Sequence, residues 1–138
     1  MINTYKIEIT GSKPKPQQRH RHTRAGFTYD PSSQHKKDFI AQIGSKAPKQ
    51  PLNGVISLKV TFAMPYVKKH YRTGKYSGEL KPNPPYEYVI KPDIDNLLKF
   101  IMDAGNKILW VDDSQIWKVE MEKVYSLLPR TEIIVEEK

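Results

Sequence analysis

The chain has 138 residues and carries 23 Lys and Arg against 15 Asp and Glu, a net charge of +8 with a pI near 9.6. It has no cysteine, so disulfides and thiolate metal sites are excluded, and any metal must be held by Asp, Glu or His. No apolar signal core opens the chain and no window approaches the roughly 20 apolar residues a membrane helix needs, so the expectation is one cytoplasmic domain (1–138) with a field that favours polyanions.

Residues 2–10 alternate, with Tyr5, Ile7 and Ile9 on one face and Thr4, Lys6 and Glu8 on the other, the period of a half-buried strand. Residues 11–29 follow as a basic arm. From Gly11 to Thr28 this arm has no acid and almost no apolar residue, so it is expected to stay out of the core as a loop. Asp30-Pro31 reads as a helix start, with a helix over 31–45 whose stripe is Phe39, Ile40 and Ile43. Residues 55–64 form the clearest strand, with Ile56, Leu58, Val60, Phe62 and Met64 on one face.

The segment 65–92 is a long basic loop rich in Pro and Tyr. Loops of that length in a compact domain are usually functional or disordered. A second helix follows, with Leu97 or Leu98, Ile101, Met102, Gly105, Ile108 and Leu109 at three- and four-residue spacing and Asp95 as its N-cap. Beyond Trp110, alternation through Gln115, Trp117, Val119 and Met121, a turn at Leu127-Leu128-Pro129 and a strand through Ile133 and Val135 read as a hairpin. The order β-α-β-α-β-β implies a small two-layer α+β fold: a mixed sheet of about four strands with two helices packed on one face.

Two short motifs gather carboxylates in this basic chain: Asp93-Ile94-Asp95-Asn96-Leu97-Leu98-Lys99 and Trp110-Val111-Asp112-Asp113-Ser114-Gln115. The simplest reason to collect acids inside a positive field is to hold a hard divalent cation where a phosphate will also be drawn. If residues 93–95 are extended, Asp93 and Asp95 point to one side across ~7 Å of backbone. Extended Asp112 and Asp113 would face opposite sides, so Asp113 is taken as the third ligand, with Asp112 in an outer or alternative role. Such a site makes metal-dependent phosphodiester chemistry the leading reading, with Lys99, one turn past Asp95, near the scissile phosphate. In the structural alternative, Asp95 only caps its helix and Lys99 pairs with Asp95 and Asp103 on a solvated face. A calcium loop is excluded, since Leu97 and Leu98 stand where the EF-hand needs a ligand and glycine.

The nucleic-acid contacts are expected from Lys13, Lys15, Arg19, Arg21 and Arg24 in the arm and Lys68, Lys69, Arg72 and Lys75 in the loop, with marked salt dependence. Tyr71, Tyr76, Tyr86 and Tyr88 either stack on unpaired bases or stiffen the loop, and His20, His22, His35 and His70 are assigned to phosphate contact or solvation.

Lys91-Pro92-Asp93-Ile94-Asp95-Asn96-Leu97 with Lys99, followed after one helix by Trp110-Val111-Asp112-Asp113-Ser114-Gln115-Ile116, resembles the RusA family of phage-associated Holliday junction resolvases. The likeness is close over residues 91–125. It implies a homodimeric, Mg2+-dependent endonuclease that makes paired symmetric nicks in four-way DNA; the all-oxygen ligands expected in a chain without cysteine suit Mg2+ or Mn2+. The family's catalytic acids fall on Asp93, Asp95 and Asp113 and its catalytic lysine on Lys99. The 65–90 segment departs from the family pattern. A DNA-binding module without catalysis, and a broader nuclease acting on flaps or forks, are the alternatives.

Overall fold

The computed structural model describes residues 2–138. Its elements in chain order are β1 (Asn3–Thr10), β2 (Arg21–His22), β3 (Thr28–Tyr29), α1 (Ser33–Ile43), β4 (Ile56–Pro65), α2 (Ile94–Gly105), β5 (Ile116–Ser126) and β6 (Arg130–Glu137). The main sheet runs β1-β6-β4-β5, with β4 parallel to β5 and the other pairs antiparallel. Ile7 and Ile9 from β1, Leu58, Val60 and Phe62 from β4, and Ile133 and Val135 from β6 face α1 and α2 across one core. The helices meet edge to face through Phe39 and Phe100, ring centroids 5.8 Å apart. This is the expected two-layer α+β arrangement.

The expected hairpin of the last two strands does not form. β6 lies between β1 and β4, while β5 pairs with the far side of β4, so residues 127–129 carry the chain past the end of β4. Alternation along a strand reports which face is buried and says nothing about which neighbour it pairs with. Trp117 also departs from its expected inward position. The register slips between Ile56 and Ser57, pairing Ile116 with Ile56 and Lys118 with Ser57. This extra residue turns Trp117 outward, 69% exposed, while Val119 and Met121 continue the inner row.

The arm is more ordered than its composition suggests. Pro14 and Gln17 are buried, and β2 and β3 form a small antiparallel ribbon. The helix over 31–45 begins at Ser33 and closes in a 3-10 turn, Gly44–Lys46. Asp30 sits before that helix and accepts from the Ser32 amide at 2.9 Å.

The loop 65–92 is tied down at several points. Tyr66 stacks on Tyr125 with centroids 5.0 Å apart, and His70 and Tyr88 pack against the same ring at 4.9 Å. Glu87 pairs with Val124 across the outer edge of β5, and Tyr71 bridges Leu80. His70 is therefore a packing residue that also accepts from the Val67 amide at 3.0 Å, a role the sequence reading did not assign. Tyr88 stiffens the loop, whereas Tyr76 and Tyr86 remain exposed.

Carboxylates are not reserved for the two motifs. The outer face of the sheet carries Glu8, Glu120, Glu122, Glu132 and Glu136 among Lys6, Lys59, Lys118 and Arg130. Glu8 and Glu132 stand opposite one another, and Arg130 lies 3.9 Å from the first and 2.7 Å from the second, offsetting their repulsion.

Candidate active site

The first motif sits where the 65–92 loop becomes α2. Asp93, rather than the expected Asp95, occupies the N-cap position, and its side chain makes no capping bond. Asp95 lies inside the first helical turn, so strand alternation does not govern the pair. Both carboxylates are exposed and neither has a hydrogen-bonding or ion-pair partner among the described residues. A carboxylate near a helix N-terminus is favoured by the amide dipoles, which also draw phosphate oxygens to the same end.

Lys99 is exposed and makes no ion pair among the described residues. The partner expected for it in the structural alternative, Asp103, is instead 3.7 Å from Lys36 of α1. Lys36 also lies 2.7 Å from Asp30. Burial opposes the charge on Asp30, but Lys36, the Ser32 amide and Gln17 outweigh it and hold the carboxyl at about 2.

That cluster fastens the arm beside the first motif. Gln17 donates through Nε2 to Asp30 at 2.8 Å, and its backbone N–H donates to the Asn96 carbonyl at 2.9 Å, in the first turn of α2. Beyond it, Arg19, Arg21 and Arg24 are exposed and unpaired among the described residues. Lys13 and Lys15 line a groove of about 540 Å³ with His35 and Asp38, and neither motif's acids reach it. In the loop, Lys68, Lys69 and Lys75 are exposed, while Arg72 pairs with Glu79 at 3.2 Å and lies 4.0 Å over the Tyr76 ring.

The second motif is held by its own side chains and by the Val111 amide, which donates to the Leu52 carbonyl at 2.9 Å. Trp110 is fully buried and packs so closely on Gly105 that a Cβ there would meet its ring at 3.0 Å. From that seat its Nε1 donates to Asp113 Oδ1 at 2.7 Å. Asp112 accepts from the Ser114 amide at 2.9 Å, while Gln115 Oε1 accepts from the Asp112 amide at 2.7 Å. The same Gln115 donates to the carbonyls of Leu52 and Gly54, each at 2.9 Å, tying the motif to the strand entrance. Asp112 is extended and Asp113 opens a 3-10 turn. Burial pushes the Asp113 carboxyl upward and repulsion from Asp103 and Asp112 adds to this, against the pull of the indole N–H. Hydrogen bonding by Ser114 lowers Asp112.

No group of three or more carboxylate or imidazole side chains stands close enough to share an ion among the described residues. The donor chemistry nevertheless suits Mg2+, which binds through one or two carboxylates and completes its shell with water and substrate phosphate. Asp93 and Asp95 are such a pair, exposed and without protein partners among the described residues.

An α+β fold whose two acids at the start of α2 have no partner among the described residues, with a basic arm tied to the same helical turn, is suited to work on a polyanion. The family model for endodeoxyribonuclease RusA matches residues 11–136. The chain therefore belongs to the RusA family of endodeoxyribonucleases, which are hydrolases. It is also 31% identical over 115 residues to YqaN of Bacillus subtilis (strain 168), an uncharacterized protein, covering 78% of this chain and 77% of that one. No helix among the described residues is long and apolar enough to cross a membrane.

Proposed function

We propose that this protein resolves Holliday junctions, binding four-way DNA as a homodimer and nicking opposed strands symmetrically with a divalent ion, Mg2+ or Mn2+. The observation that carries this reading is the start of α2: two exposed acids and Lys99, all without partners among the described residues, and a basic arm fastened alongside. Asp93 and Asp95 would hold the ion, with Asp113 as the third ligand once DNA orders the site. When bound, the ion supplies water activation and charge stabilisation at the phosphoryl group. Lys99 places its ammonium against the scissile phosphate, opposing charge on the leaving oxygen. The arm and Lys68, Lys69, Arg72 and Lys75 hold the flanking backbone, so affinity falls with salt. A four-way junction has two-fold symmetry, which a C2 dimer matches by placing one site on each of two equivalent strands.

The acid pair also separates this reading from a binding module without catalysis, in which the acids would cap or pair. The test is to incubate a synthetic four-way junction, a fork and a plain duplex with Mg2+ and map the nicks, using wild type and Asp95→Asn. Paired nicks at symmetric positions in the junction, lost in Asp95→Asn, are expected. Equal cutting by both proteins sinks the mechanism, and preference for the fork sinks the junction assignment.

A further inference from the structure

On β5 the row facing the helices reads Val119, Met121, Lys123 and Tyr125, opposite Leu58, Val60, Phe62 and Met64 of β4. A lysine in that row interrupts an otherwise apolar or aromatic sequence. A partly buried ammonium is costly unless its donors are matched. Lys123 Nζ donates to the carbonyl of Ile90 at 2.9 Å and to that of Pro92 at 2.8 Å, and lies 5.3 Å over the Tyr88 ring. Tyr88 donates its hydroxyl to the carbonyl between them, that of Lys91, at 2.8 Å. Tyr88 is itself held by its backbone N–H, which donates to the Lys123 carbonyl at 3.1 Å.

The three carbonyls that lead directly into Asp93 are thus gripped by two side chains from outside the motif. The segment has little apolar anchorage of its own, since Val89 is 83% and Ile90 47% exposed. We infer that Lys123, assisted by the Tyr88 hydroxyl, is a positioning residue that sets where the Asp93 and Asp95 carboxylates stand. The inference rests on the reading of those acids as ion ligands. A purely protective role makes a different prediction: an inward charge on an edge strand guards against edge-to-edge pairing, so its loss would cause self-association without changing ion binding.

The experiment uses the full chain as Lys123→Met, Lys123→Arg and Tyr88→Phe, with Lys118→Met, outward on the same strand, as control. Mn2+ affinity is read by titration and electron paramagnetic resonance, amide exchange over residues 90–97 by mass spectrometry, and oligomeric state by sedimentation. Nicking of the junction is measured in parallel. Lys123→Met is expected to weaken Mn2+ binding by about 10–100-fold, as loss of an outer-shell support does. It should also speed exchange over 90–95 and lower kcat with little change in KM. Lys123→Arg should recover most of this, Tyr88→Phe should fall between, and Lys118→Met should match wild type. Unchanged Mn2+ affinity and exchange in Lys123→Met overturn the inference, as does self-association as its sole effect. If Lys123→Met fails to fold, Tyr88→Phe decides by the same two readouts. A wild type that binds Mn2+ but cuts no DNA overturns only the nuclease reading, whereas one that binds no Mn2+ overturns both.

Discussion

The two acidic motifs are held differently. Around Asp93 and Asp95, distant residues grip the backbone: Lys123 and Tyr88 hold the carbonyls of residues 90–92, and Gln17 reaches the Asn96 carbonyl. Their carboxylates remain without protein partners among the described residues. Around Asp113 the motif's own side chains join the backbone bond from Val111 to Leu52 in the frame, and one carboxylate oxygen is already engaged by Trp110. The first motif keeps both of its acids available to a ligand, whereas the second gains rigidity by committing one oxygen of Asp113 and leaves the other open.

The largest expected effect tests the first half of that contrast. Asp95→Asn should reduce junction nicking by about 10²–10³-fold, the scale of losing one preorganised electrostatic contact in a transition state, while Tm stays nearly unchanged. A large fall in Tm would show that the carboxylate also serves the fold.

Gly105→Ala tests the second half. The added methyl would meet the Trp110 ring at 3.0 Å, and that ring is fully buried. Overpacking of this kind costs about 1–3 kcal/mol and should pull the indole away from Asp113. Chemical denaturation measures the first effect and tryptophan fluorescence the second; wild-type values in both would show that Trp110 has room to move.

Asp30→Asn tests the fastening of the arm. The folded carboxyl titrates at about 2 against an ordinary 3.8, so its stabilisation is complete above the ordinary value and disappears as pH falls through about 2. That difference favours the folded state at neutral pH, by about 1 kcal/mol once solvent screening of the ion pair is allowed for. Denaturation curves for the variant and wild type should therefore differ at pH 7 and converge in strong acid. A constant gap across pH would place the stabilisation elsewhere. The smallest effect is expected from Asp112→Ala, which removes an exposed cap from a single 3-10 turn. A slight fall in Tm should appear, and a fall as large as that of Gly105→Ala would mean that the cap organises the whole motif.

Much of this layout was legible in the chain. The apolar rows of β1, β4 and β6 and most of each helix stripe were visible as periods of two and of three to four residues, because burial on one face imposes those periods, although α2 ends at Gly105, short of the expected Ile108 and Leu109. The two acidic motifs stood out against a basic background. Less legible was the reason for Gln115, whose amide closes the turn and ties it to residues 52 and 54. Asp103 and Lys36 were likewise unread as a pair, since they come from different helices. Lys123 did leave a signal, a charge in the inner row of β5, but its partners lie more than thirty residues earlier in the chain.

By itself the sequence determined the main element types, the basic character and the two acidic motifs, since local periodicity and side-chain type are properties of neighbours along the chain. Only the tertiary structure decided that β6 enters between β1 and β4, that a register slip expels Trp117, and that Asp93 rather than Asp95 begins α2. Those outcomes depend on hydrogen bonds and packing between segments far apart in sequence, and a local pattern of hydrophobic and polar residues does not specify its distant partner.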